Sequence, residues 1–426
     1  MTMQIAKQTI RELNEKVLAG HLEQLKNCRA QLSAADKVID KIRTFQIAIP
    51  SWALGTGGTR FGRFPLGGEP SSLEEKIEDI GLLHALSGSC GAISLHIPWD
   101  IPRDPEAIRK LASANNLKFD AVNSNTFQDQ PGQVHSYKFG SLSHVDPEVR
   151  KQAIEHNLAV IRIGKSLGCQ ALSLWLSDGS CFPGQLNFRE AFERTLDSLQ
   201  QIYRELPEDW KIYLEYKAFE PNFYSMTVGD WGQSYLLASK LGEKALTLVD
   251  LGHHLPNANI EQIVALLMME KKLAGFHFND SKYGDDDLTA GSIRPYQLFL
   301  IFRELVEAMD HAGLNHASSL AWMIDASHNI KDPLEDLLQS LESIMNAYAK
   351  ALLVDSGALR EAQQKNDVAR AEEILHAAYL TDVRPLLAEA RRQAGAAIRP
   401  LESFRFLKVR ETLIQTRGTH STATGL

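Results

Sequence analysis

The sequence is poor in cysteine, in net positive charge and in long apolar runs. Its 426 residues contain four cysteines, none of them in a CxxC pair: Cys28, Cys90, Cys169 and Cys181. Cysteines this sparse do not build a disulfide scaffold in a chain of this length, so we predict free thiols in a reducing compartment. The same scarcity argues against a structural zinc site.

Positive charge does not dominate the chain either. Lysine and arginine number 45 against 53 aspartates and glutamates, a formal net charge of −8. This balance indicates no basic surface for nucleic acid or for an acidic membrane, and it favours a small-molecule partner. The apolar helical run Ile263–Met269 is far too short to cross a bilayer, and the polar N-terminal residues do not resemble a signal peptide. We therefore predict a cytoplasmic protein with no membrane partner.

A glycine-rich phosphate turn is also missing. The candidate stretch, Gly55–Pro65 (GTGGTRFGRFP), has neither the GxGxxG spacing nor a GK[ST] ending. An open doubly wound sheet normally carries such a turn after an early strand, so the stretch is interpreted as a loop and the open sheet is disfavoured. Strand order cannot be derived from one sequence, and the open sheet stays an alternative.

Short β-type runs alternate with amphipathic helical stretches along the middle of the chain. Helices of 3.6-residue period between strands are typical of α/β proteins, and eight strands favour a closed (β/α)8 TIM barrel. The predicted strands are Phe45–Ile49, Ala92–Ile97, Phe119–Asn123, Ala171–Leu176, Ile212–Tyr216, Leu246–Asp250, Ala274–Phe278 and Leu320–Ile324.

The two flanks are charged and helix-patterned. We predict an N-terminal helical extension over 1–44, the catalytic barrel over 45–353, and a C-terminal helical arm with a disordered tail over 354–426. The tail is assigned to TRGTHSTATGL, 416–426, because its residues are small and polar. Arms of this kind pack outside a barrel or across a subunit interface.

Ligand-type side chains stand at the ends of the last four predicted strands. Catalytic groups of a barrel lie at the carboxyl ends of its strands, so four neighbouring strands would each deliver one such side chain to one place. Three carboxylates and one imidazole suit a divalent ion such as Mn²⁺, Co²⁺ or Mg²⁺. The four residues are Glu215, Asp250, His277 and Asp325.

A second set lies in the adjoining loops, with His253 in DLGHH and Asp285 and Asp287 in YGDDD. An extended backbone would turn Asp285 and Asp287 the same way and Asp286 elsewhere. With His253, these carboxylates would hold a second cation beside the first, and paired metals can clamp two oxygens of one substrate.

Other chemistry-bearing residues fall near the same strand ends. Lys217 follows Glu215 by two positions and would face the same side, where a lysine can stabilise negative charge on a substrate oxygen. Aromatic rings at strand ends can stack on the apolar face of a sugar, and the candidates are His96, Trp99, Phe127 and Trp175. Taken singly, each of these features is also typical of an ion pair, core packing or a solvated loop.

These motifs together carry a family resemblance. Between about residues 50 and 330 the sequence contains PSWALGTGGTRFGRFP, SLHIPWD, FDAVNSNTF, HSYKFGSLSH, LWLSDGSCFPGQ, YLEYKAFEP, LVDLGHH, GFHFNDSKYGDDDL and MIDASHN in this order. In these stretches the chain resembles the bacterial L-rhamnose isomerases of the pseudomonad type, which belong to the xylose-isomerase-like barrels.

The resemblance implies a homotetrameric (β/α)8 aldose–ketose isomerase with two divalent ions per subunit, Mn²⁺ before Co²⁺ or Zn²⁺. It implies two ligand sets, with Glu215 as a candidate bridge between them. They are Glu215, Asp250, His277 and Asp325 for a structural ion, and His253, Asp285 and Asp287 for a catalytic ion.

The resemblance also implies a substrate pocket. Lys217 is similar to the family's substrate-contacting lysine, and His96, Phe127 and Trp175 match pocket positions. Phe61 resembles a residue lent to the pocket by a neighbouring subunit.

Catalytic roles are predicted for a few of these residues, and one position departs from the family pattern. We include Trp99 as a pocket residue and predict catalytic roles for Lys217, His96 and Asp325. Tyr216 stands where a histidine is expected, but strand alternation turns it away from the ligands.

The predicted reaction interconverts L-rhamnose and L-rhamnulose, and D-allose and D-psicose, by a metal-assisted hydride shift on the open-chain sugar. The alternative is a ketose 3-epimerase, which resembles this layout but uses two opposed glutamates; the last ligand here is Asp325. A metal-dependent nuclease on a related barrel would need a basic face, against the net charge. A non-catalytic sugar binder would show no turnover.

Overall fold

Eight short parallel strands close into a barrel in the computed structural model, which describes residues 3–55, 64–218, 220, 226–310, 320–326 and 330–419. Each strand pairs with the next one along the chain, and the last strand returns to the first through Ala48 and Met323. The predicted α/β barrel is therefore confirmed. The strands are β1 Ala48–Pro50, β2 Ala92–Ile97, β3 Lys118–Ser124, β4 Ala171–Trp175, β5 Lys211–Glu215, β6 Ala245–Asp250, β7 Leu273–Phe278 and β8 Ala321–Ile324.

A helix follows each strand of the barrel. Most of these helices begin directly after a serine, aspartate or asparagine whose side chain accepts a hydrogen bond from a backbone N–H of the first turn, which satisfies a donor that the helix itself leaves unpaired. The helices are α4 Leu73–Ser87, α5 Pro105–Ala114, α6 Pro147–Leu167, α7 Phe188–Arg204, α8 Trp231–Leu241, α9 Ile260–Met269, α10 Pro295–Asp310 and α11 Pro333–Leu352.

Strand alternation divides the core into two parts. On β5, Ile212 and Leu214 pack outward in the large cluster shared with the helices, whereas Tyr213 belongs to a smaller cluster inside the barrel. Small and apolar side chains such as Ala121 and Leu248 fill the same inner cluster. The inner faces of the last strands continue into polar residues at their carboxyl ends, and this is where the predicted site lies.

Gly275 on β7 lies where the backbone of β8 approaches closely. The register between β6 and β7 shifts just before it, and its φ is +145°. A Cβ atom here would lie 1.9 Å from the carbonyl oxygen of Ala321 on β8. Only glycine allows this approach, so Gly275 sets the register that turns His277 inward.

Further helices lie outside the barrel at both ends of the chain. The helix Arg384–Gln393 packs on the helices Leu18–Gln31 and Ala35–Thr44, and the helix Pro400–Phe406 packs on α4 and α11. The boundaries of the extension, barrel and arm stay a prediction. These helices are α1 Lys7–Glu15, α2 Leu18–Gln31, α3 Ala35–Thr44, α12 Ser356–Gln364, α13 Val368–Leu380, α14 Arg384–Gln393, α15 Pro400–Phe406 and α16 Val409–Arg417.

The predicted disordered tail begins too early. Helix α16 continues through Arg417, whose guanidinium donates to Asp79 at 2.9 Å and so ties the helix to α4. The prediction is wrong for 416 and 417, and residues 420–426 lie outside the described residues.

The state of the cysteines and the length of the apolar helices were both predicted from composition. The four cysteines are free thiols, as predicted: Cys28, Cys90 and Cys169 are buried and Cys181 is exposed. Within the described part of the chain, the helices are too short or too polar for a transmembrane span.

Candidate metal centre and adjoining pocket

Four acidic and imidazole side chains converge at the carboxyl ends of β5 to β8. Glu215, Asp250, His277 and Asp325 each offer one ligand atom, and these atoms all lie within 4.8 Å of one another. Nδ1 of His277 is 3.0 Å from Glu215 Oε1, 3.5 Å from Asp325 Oδ2 and 3.9 Å from Asp250 Oδ2. The structure therefore brings together all four residues that we predicted as one ligand set.

The electrostatics of this group favour a cation. Burial, followed by the negative charges of Glu215 and Asp325, raises the pKa of Asp250 well above its usual value. Burial opposes protonation of His277, yet the neighbouring carboxylates raise its pKa to about 9. Acids this close repel one another unless a positive charge is placed among them, and a divalent ion would supply that charge.

Neighbouring residues orient these carboxylates. Asn279 Nδ2 donates to both carboxylate oxygens of Asp250, at 2.9 and 3.1 Å, and the backbone N–H of Gly252 donates to Oδ1 at 2.8 Å. Trp52 Nε1, in the loop after β1, donates to Asp325 Oδ1 at 2.9 Å. Fixed ligands of this kind are what a metal site needs from its surroundings.

A second group shares Asp250 with the first. Asp250, His253 and Asp285 also offer ligand atoms within 4.8 Å of one another. His253 Nε2 is 3.2 Å from Asp285 Oδ1, and its Nδ1 is 3.1 Å from the carbonyl oxygen of Tyr216. A proton on Nδ1 donated to that carbonyl leaves the Nε2 lone pair for a cation.

This second group differs in two ways from the predicted one. Asp250, rather than Glu215, belongs to both groups; Glu215 Oε1 instead lies 3.4 Å from His253 Nδ1. Asp287 is not in the group, although it is mostly buried and its charge contributes to the raised pKa of Asp250.

The backbone of the GDDD loop explains the second difference. The extended conformation that we expected is wrong, because Asp285 and Asp287 have φ of +52° and +47°. Asp286 accepts hydrogen bonds from the backbone N–H groups of three preceding residues, Lys282, Tyr283 and Gly284, and so builds the turn. The turn sets the direction of the neighbouring carboxylates.

Lys217 lies at the border of this second group. It is buried just beyond β5, and its Nζ pairs with Glu220 Oε2 at 2.6 Å and also with Asp285. The same Nζ is 4.9 Å from the ring centroid of Trp175. A buried positive charge is thus placed between the acidic groups and the aromatic part of the mouth.

Aromatic rings cover the other half of the barrel mouth, from β1 to β4. His96 stacks on Trp99 with ring centroids 4.1 Å apart, and Trp52 lies edge-on to His96 at 5.3 Å. Phe127 contacts His96 at 5.6 Å and Trp175 at 4.8 Å. We call Trp52, His96, Trp99, Phe127 and Trp175 the aromatic wall.

Polar atoms of the aromatic wall are buried without protein partners. Within the described residues, Nδ1 of His96 and Nε1 of Trp99 and Trp175 have no hydrogen-bond partner. Burial, with the nearby positive charges of His156 and Lys76, lowers the pKa of His96 to about 3, so its ring is neutral near pH 7. Buried polar groups are nearly always paired in proteins, so these atoms favour a polar ligand against the wall.

The remaining predicted residues are placed as follows. Phe61 lies outside the described residues. Tyr216 packs away from the ligands, as expected, and its hydroxyl lies 2.6 Å from His254 Nε2.

Sequence reasoning missed several residues of this region. Trp52, Asn279 and Glu220 contact predicted ligands or Lys217, and we did not single them out. Asn279 could have been found, since it follows His277 by two positions and so returns to the inner face.

The donor set fits divalent ions that accept oxygen and nitrogen. It offers carboxylates and imidazoles without a thiolate, on strands whose ends are fixed by the barrel. The assignment of individual side chains as ligands stays a prediction.

Comparisons with known proteins agree with this barrel. The family model described as xylose isomerase-like TIM barrel matches residues 89–346. A probable sugar isomerase of Rhizobium meliloti is 55% identical over 370 residues, which cover 87% of this chain and 86% of that protein. A probable sugar isomerase of Mesorhizobium japonicum is 54% identical over 374 residues, with 87% and 86% covered. The xylose isomerase of Thermus thermophilus is 24% identical over 285 residues, with 62% and 70% covered.

Solved structures share the fold at low sequence identity. An L-ribulose 3-epimerase structure superposes with a TM-score of 0.52 at 13% identity, covering 74% of this chain and 99% of that one. At this identity the likeness shows the barrel fold alone. The family match and the two relatives above 50% identity show more: the chain belongs to the xylose isomerase-like TIM barrel family.

Proposed function

We propose that this protein is a divalent-metal-dependent aldose–ketose isomerase that interconverts L-rhamnose and L-rhamnulose and also acts on D-allose and D-psicose. In this proposal each subunit binds two divalent ions, preferably Mn²⁺, and the protein is a homotetramer located in the cytoplasm. The observation that carries it is the convergence of ligand atoms of Glu215, Asp250, His277 and Asp325 within 4.8 Å of one another, beside the aromatic wall. The named relatives support the reaction class, and the resemblance described above supports the choice of sugar.

The cations would be held by the two groups described above and would supply Lewis acidity toward neighbouring sugar oxygens. The chain's own residues bind and orient the sugar. The aromatic wall offers flat apolar surfaces to the C–H groups and excludes water from the reacting carbons. Lys217 brings a positive charge to the oxygen on which negative charge develops, and His96, as a neutral ring, offers a hydrogen bond at Nδ1.

The surroundings of Asp325 favour an isomerase over an epimerase. Its Oδ1 accepts the Trp52 indole N–H at 2.9 Å, and its Oδ2 lies 3.5 Å from His277 Nδ1. Each oxygen therefore already has a neighbour, the Trp52 indole at Oδ1 and the His277 imidazole at Oδ2. The epimerase alternative uses glutamates as proton-abstracting ligands, and the aspartate here is one methylene shorter, so its carboxylate reaches less far toward a sugar carbon.

The test is incubation of the metal-loaded protein in D₂O with a panel of aldoses and, in separate samples, with the corresponding ketoses. We expect L-rhamnose to give L-rhamnulose fastest, with little deuterium on C1 or C2, because an intramolecular hydride shift does not exchange the carbon-bound hydrogen with solvent. Nuclear magnetic resonance and mass spectrometry of the product measure both quantities. Epimerised ketose with one deuterium at C3 would instead establish the epimerase.

Metal removal provides the control. Dialysis against a chelator should abolish turnover, and readdition of Mn²⁺, Co²⁺ or Zn²⁺ in separate samples should rank the ions. Full activity after verified removal of metal would contradict the proposal.

A further inference from the structure

A buried ion pair lies directly behind the aromatic wall. Lys76, on α4, donates from Nζ to Oδ1 of Asp100 at 2.7 Å, and their side chains are 3% and 1% exposed. Removing two charges from water is costly, and a buried pair is stable only if its geometry is good and its other polar atoms are satisfied. The second oxygen of the Asp100 carboxylate therefore needs hydrogen-bond donors as well.

The second oxygen of Asp100 ties two strand ends together. Oδ2 accepts a hydrogen bond from the hydroxyl of Ser51, just beyond β1, and another from the backbone N–H of His96 on β2, at 2.8 Å. The backbone N–H of Asp100 also donates to the carbonyl of His96 at 2.9 Å. Every oxygen of this carboxylate therefore has a partner, and two of the partners come from different strands.

These partners are, or directly adjoin, three residues of the aromatic wall. Trp52 follows Ser51, Trp99 precedes Asp100, and His96 is held through its own backbone. Trp52 also carries the indole donor to the predicted ligand Asp325. A shift of this one carboxylate would move the wall and would loosen one side of the metal group.

We propose that Asp100 is a positioning residue for the sugar pocket, with its charge held in place by Lys76, and that it aligns Trp52, His96 and Trp99 for an open-chain sugar. The part of this inference that concerns the sugar rests on the proposed function. The part that concerns the indoles and Asp325 does not require turnover, and the two parts can be tested separately.

The main test is Asp100→Asn in the full-length protein labelled with ¹⁵N-tryptophan. A carboxamide has the same size but offers one acceptor oxygen, so it cannot serve Lys76, Ser51 and His96 together. We expect the indole N–H resonances of Trp52 and Trp99 to shift or broaden. Trp210 and Trp231 lie away from the wall and serve as internal controls, and single Trp→Phe variants give the assignments.

Two further variants separate the effect of the buried charge of Lys76 from the effect of Asp100 on the position of the aromatic wall. Asp100→Asn leaves Lys76 buried without its partner, so the double variant Lys76→Met/Asp100→Asn should recover thermal stability but not the wild-type indole positions. Ser51→Ala, which removes only a hydroxyl, should shift the Trp52 resonance more than that of Trp99. A double variant that recovers both stability and the indole spectrum would show that the pair is only structural.

Steady-state kinetics test the part of the proposal that concerns sugar binding. In Asp100→Asn we expect KM to rise by about tenfold, with a smaller change in kcat, because the wall binds the sugar, whereas Lys217 is untouched and the metal group is affected only through the Trp52 contact to Asp325. Indole shifts in a protein that isomerises no sugar would refute the proposed function and leave the positioning role standing. Unchanged indoles with wild-type KM would overturn the positioning role itself.

Discussion

The charge of Lys217 is the single-residue feature on which the proposed reaction depends most directly. Its Nζ lies between the Trp175 ring and the carboxylates of Glu220 and Asp285. Lys217→Met keeps most of the buried length and removes the charge. We expect kcat to fall by about 10²-fold or more, as when one stabiliser of a developing oxyanion is lost, while the metal content stays unchanged. Steady-state kinetics and elemental analysis of the same preparation measure the two effects.

Lys272→Met is the matched control for Lys217. Lys272 is half-buried, whereas Lys217 is buried, and its Nζ donates to backbone carbonyls of Ala238, Gly242 and Ala245, near the start of β6 and away from the mouth. Its replacement should lower the unfolding temperature and leave kcat within about twofold of wild type. Wild-type kcat in Lys217→Met would remove Lys217 from the mechanism.

The assignment of Asp325 as a metal ligand can be tested through the effect of Mn²⁺ on the unfolding temperature. Metal that binds the folded protein stabilises it by mass action, so a hundredfold loss of affinity removes about 2.7 kcal/mol of metal-linked stability. Asp325→Asn should therefore show a much smaller rise of the unfolding temperature on addition of Mn²⁺, measured by calorimetry.

Asp286→Asn is the control for Asp325→Asn. The Asp286 carboxylate accepts hydrogen bonds from backbone N–H groups of its own turn, and Asp286 belongs to neither candidate ligand group. It should lose some stability and keep the Mn²⁺-dependent rise. An undiminished rise in Asp325→Asn would contradict the ligand assignment.

At the residue scale, the ligand-type side chains were predictable and their exact partners were not. Glu215, Asp250, His277 and Asp325 end strands, and strand ends in a barrel converge whatever the loops do. Asp285 and Asp287 stand in a turn with positive φ, which the hydrogen bonds of Asp286 create. Alternation rules for strands do not apply there, and so the predicted direction of these two side chains failed.

At the scale of elements, α16 holds the segment that follows β1. Arg417 donates to the carbonyl oxygen of Gly68 at 3.1 Å, and Arg410 donates to that of Gly67 at 3.1 Å while pairing with Asp332. Gly68 has a φ of +75°, and a Cβ atom there would lie 2.7 Å from backbone atoms of Leu413 and Ile414. Backbone atoms cannot move aside as a flexible side chain can, so this contact requires glycine.

Gly68→Ala should therefore destabilise the protein through the docking of α16. The unfavourable φ costs about 1–2 kcal/mol and the steric overlap a further 1–3 kcal/mol or so. Gly132→Ala is the control, since Gly132 has a φ of +80° and a Cβ atom there would contact nothing within 4 Å. Urea unfolding should show the larger loss for Gly68→Ala, and limited proteolysis should cut α16 faster. Equal losses for both variants would mean that α16 does not constrain Gly68.

The strands were predictable at this scale because their apolar runs are short and bounded by polar turns. Each of the eight lies within three residues of its predicted position. The tight contact between Gly68 and α16 was not predictable, because it joins segments about 345 positions apart and leaves no local pattern in either.

At the scale of the whole molecule, the two ends of the chain are joined. His21 on α2 lies 3.0 Å from Glu389 on α14, and both side chains are buried. Asn14 accepts from the backbone N–H of Ile398 at 2.8 Å and donates to the carbonyl of Ala396 at 2.9 Å. Helical patterning predicted both flanks, but the face that each helix presents to the other depends on tertiary packing, which composition does not reveal.

Glu389 makes this junction sensitive to acid. Burial alone would raise its pKa, but hydrogen bonds from Arg392, His21 and Gln393 lower the pKa to about 2 from its usual 4.5. A carboxyl group whose pKa is depressed on folding stabilises the folded state above its unfolded pKa, and this stabilisation is lost as the pH falls toward the folded value. Between pH 6 and pH 4 the group should therefore account for about 1 kcal/mol of lost unfolding free energy.

Glu389→Gln should remove the part of the pH dependence of the unfolding free energy that comes from this carboxyl group. We expect the variant to be less stable than wild type at pH 7 and the difference to narrow as the pH falls from 6 to 4, measured by urea unfolding at each pH. Glu361→Gln is the control, because Glu361 pairs with Lys365 on the exposed face of α12 and should leave the wild-type curve unchanged. A Glu389→Gln curve parallel to that of wild type would show that the junction of the two ends does not depend on this charge. A narrowing difference would show that the charge of Glu389 stabilises the contact between the N-terminal and C-terminal helices.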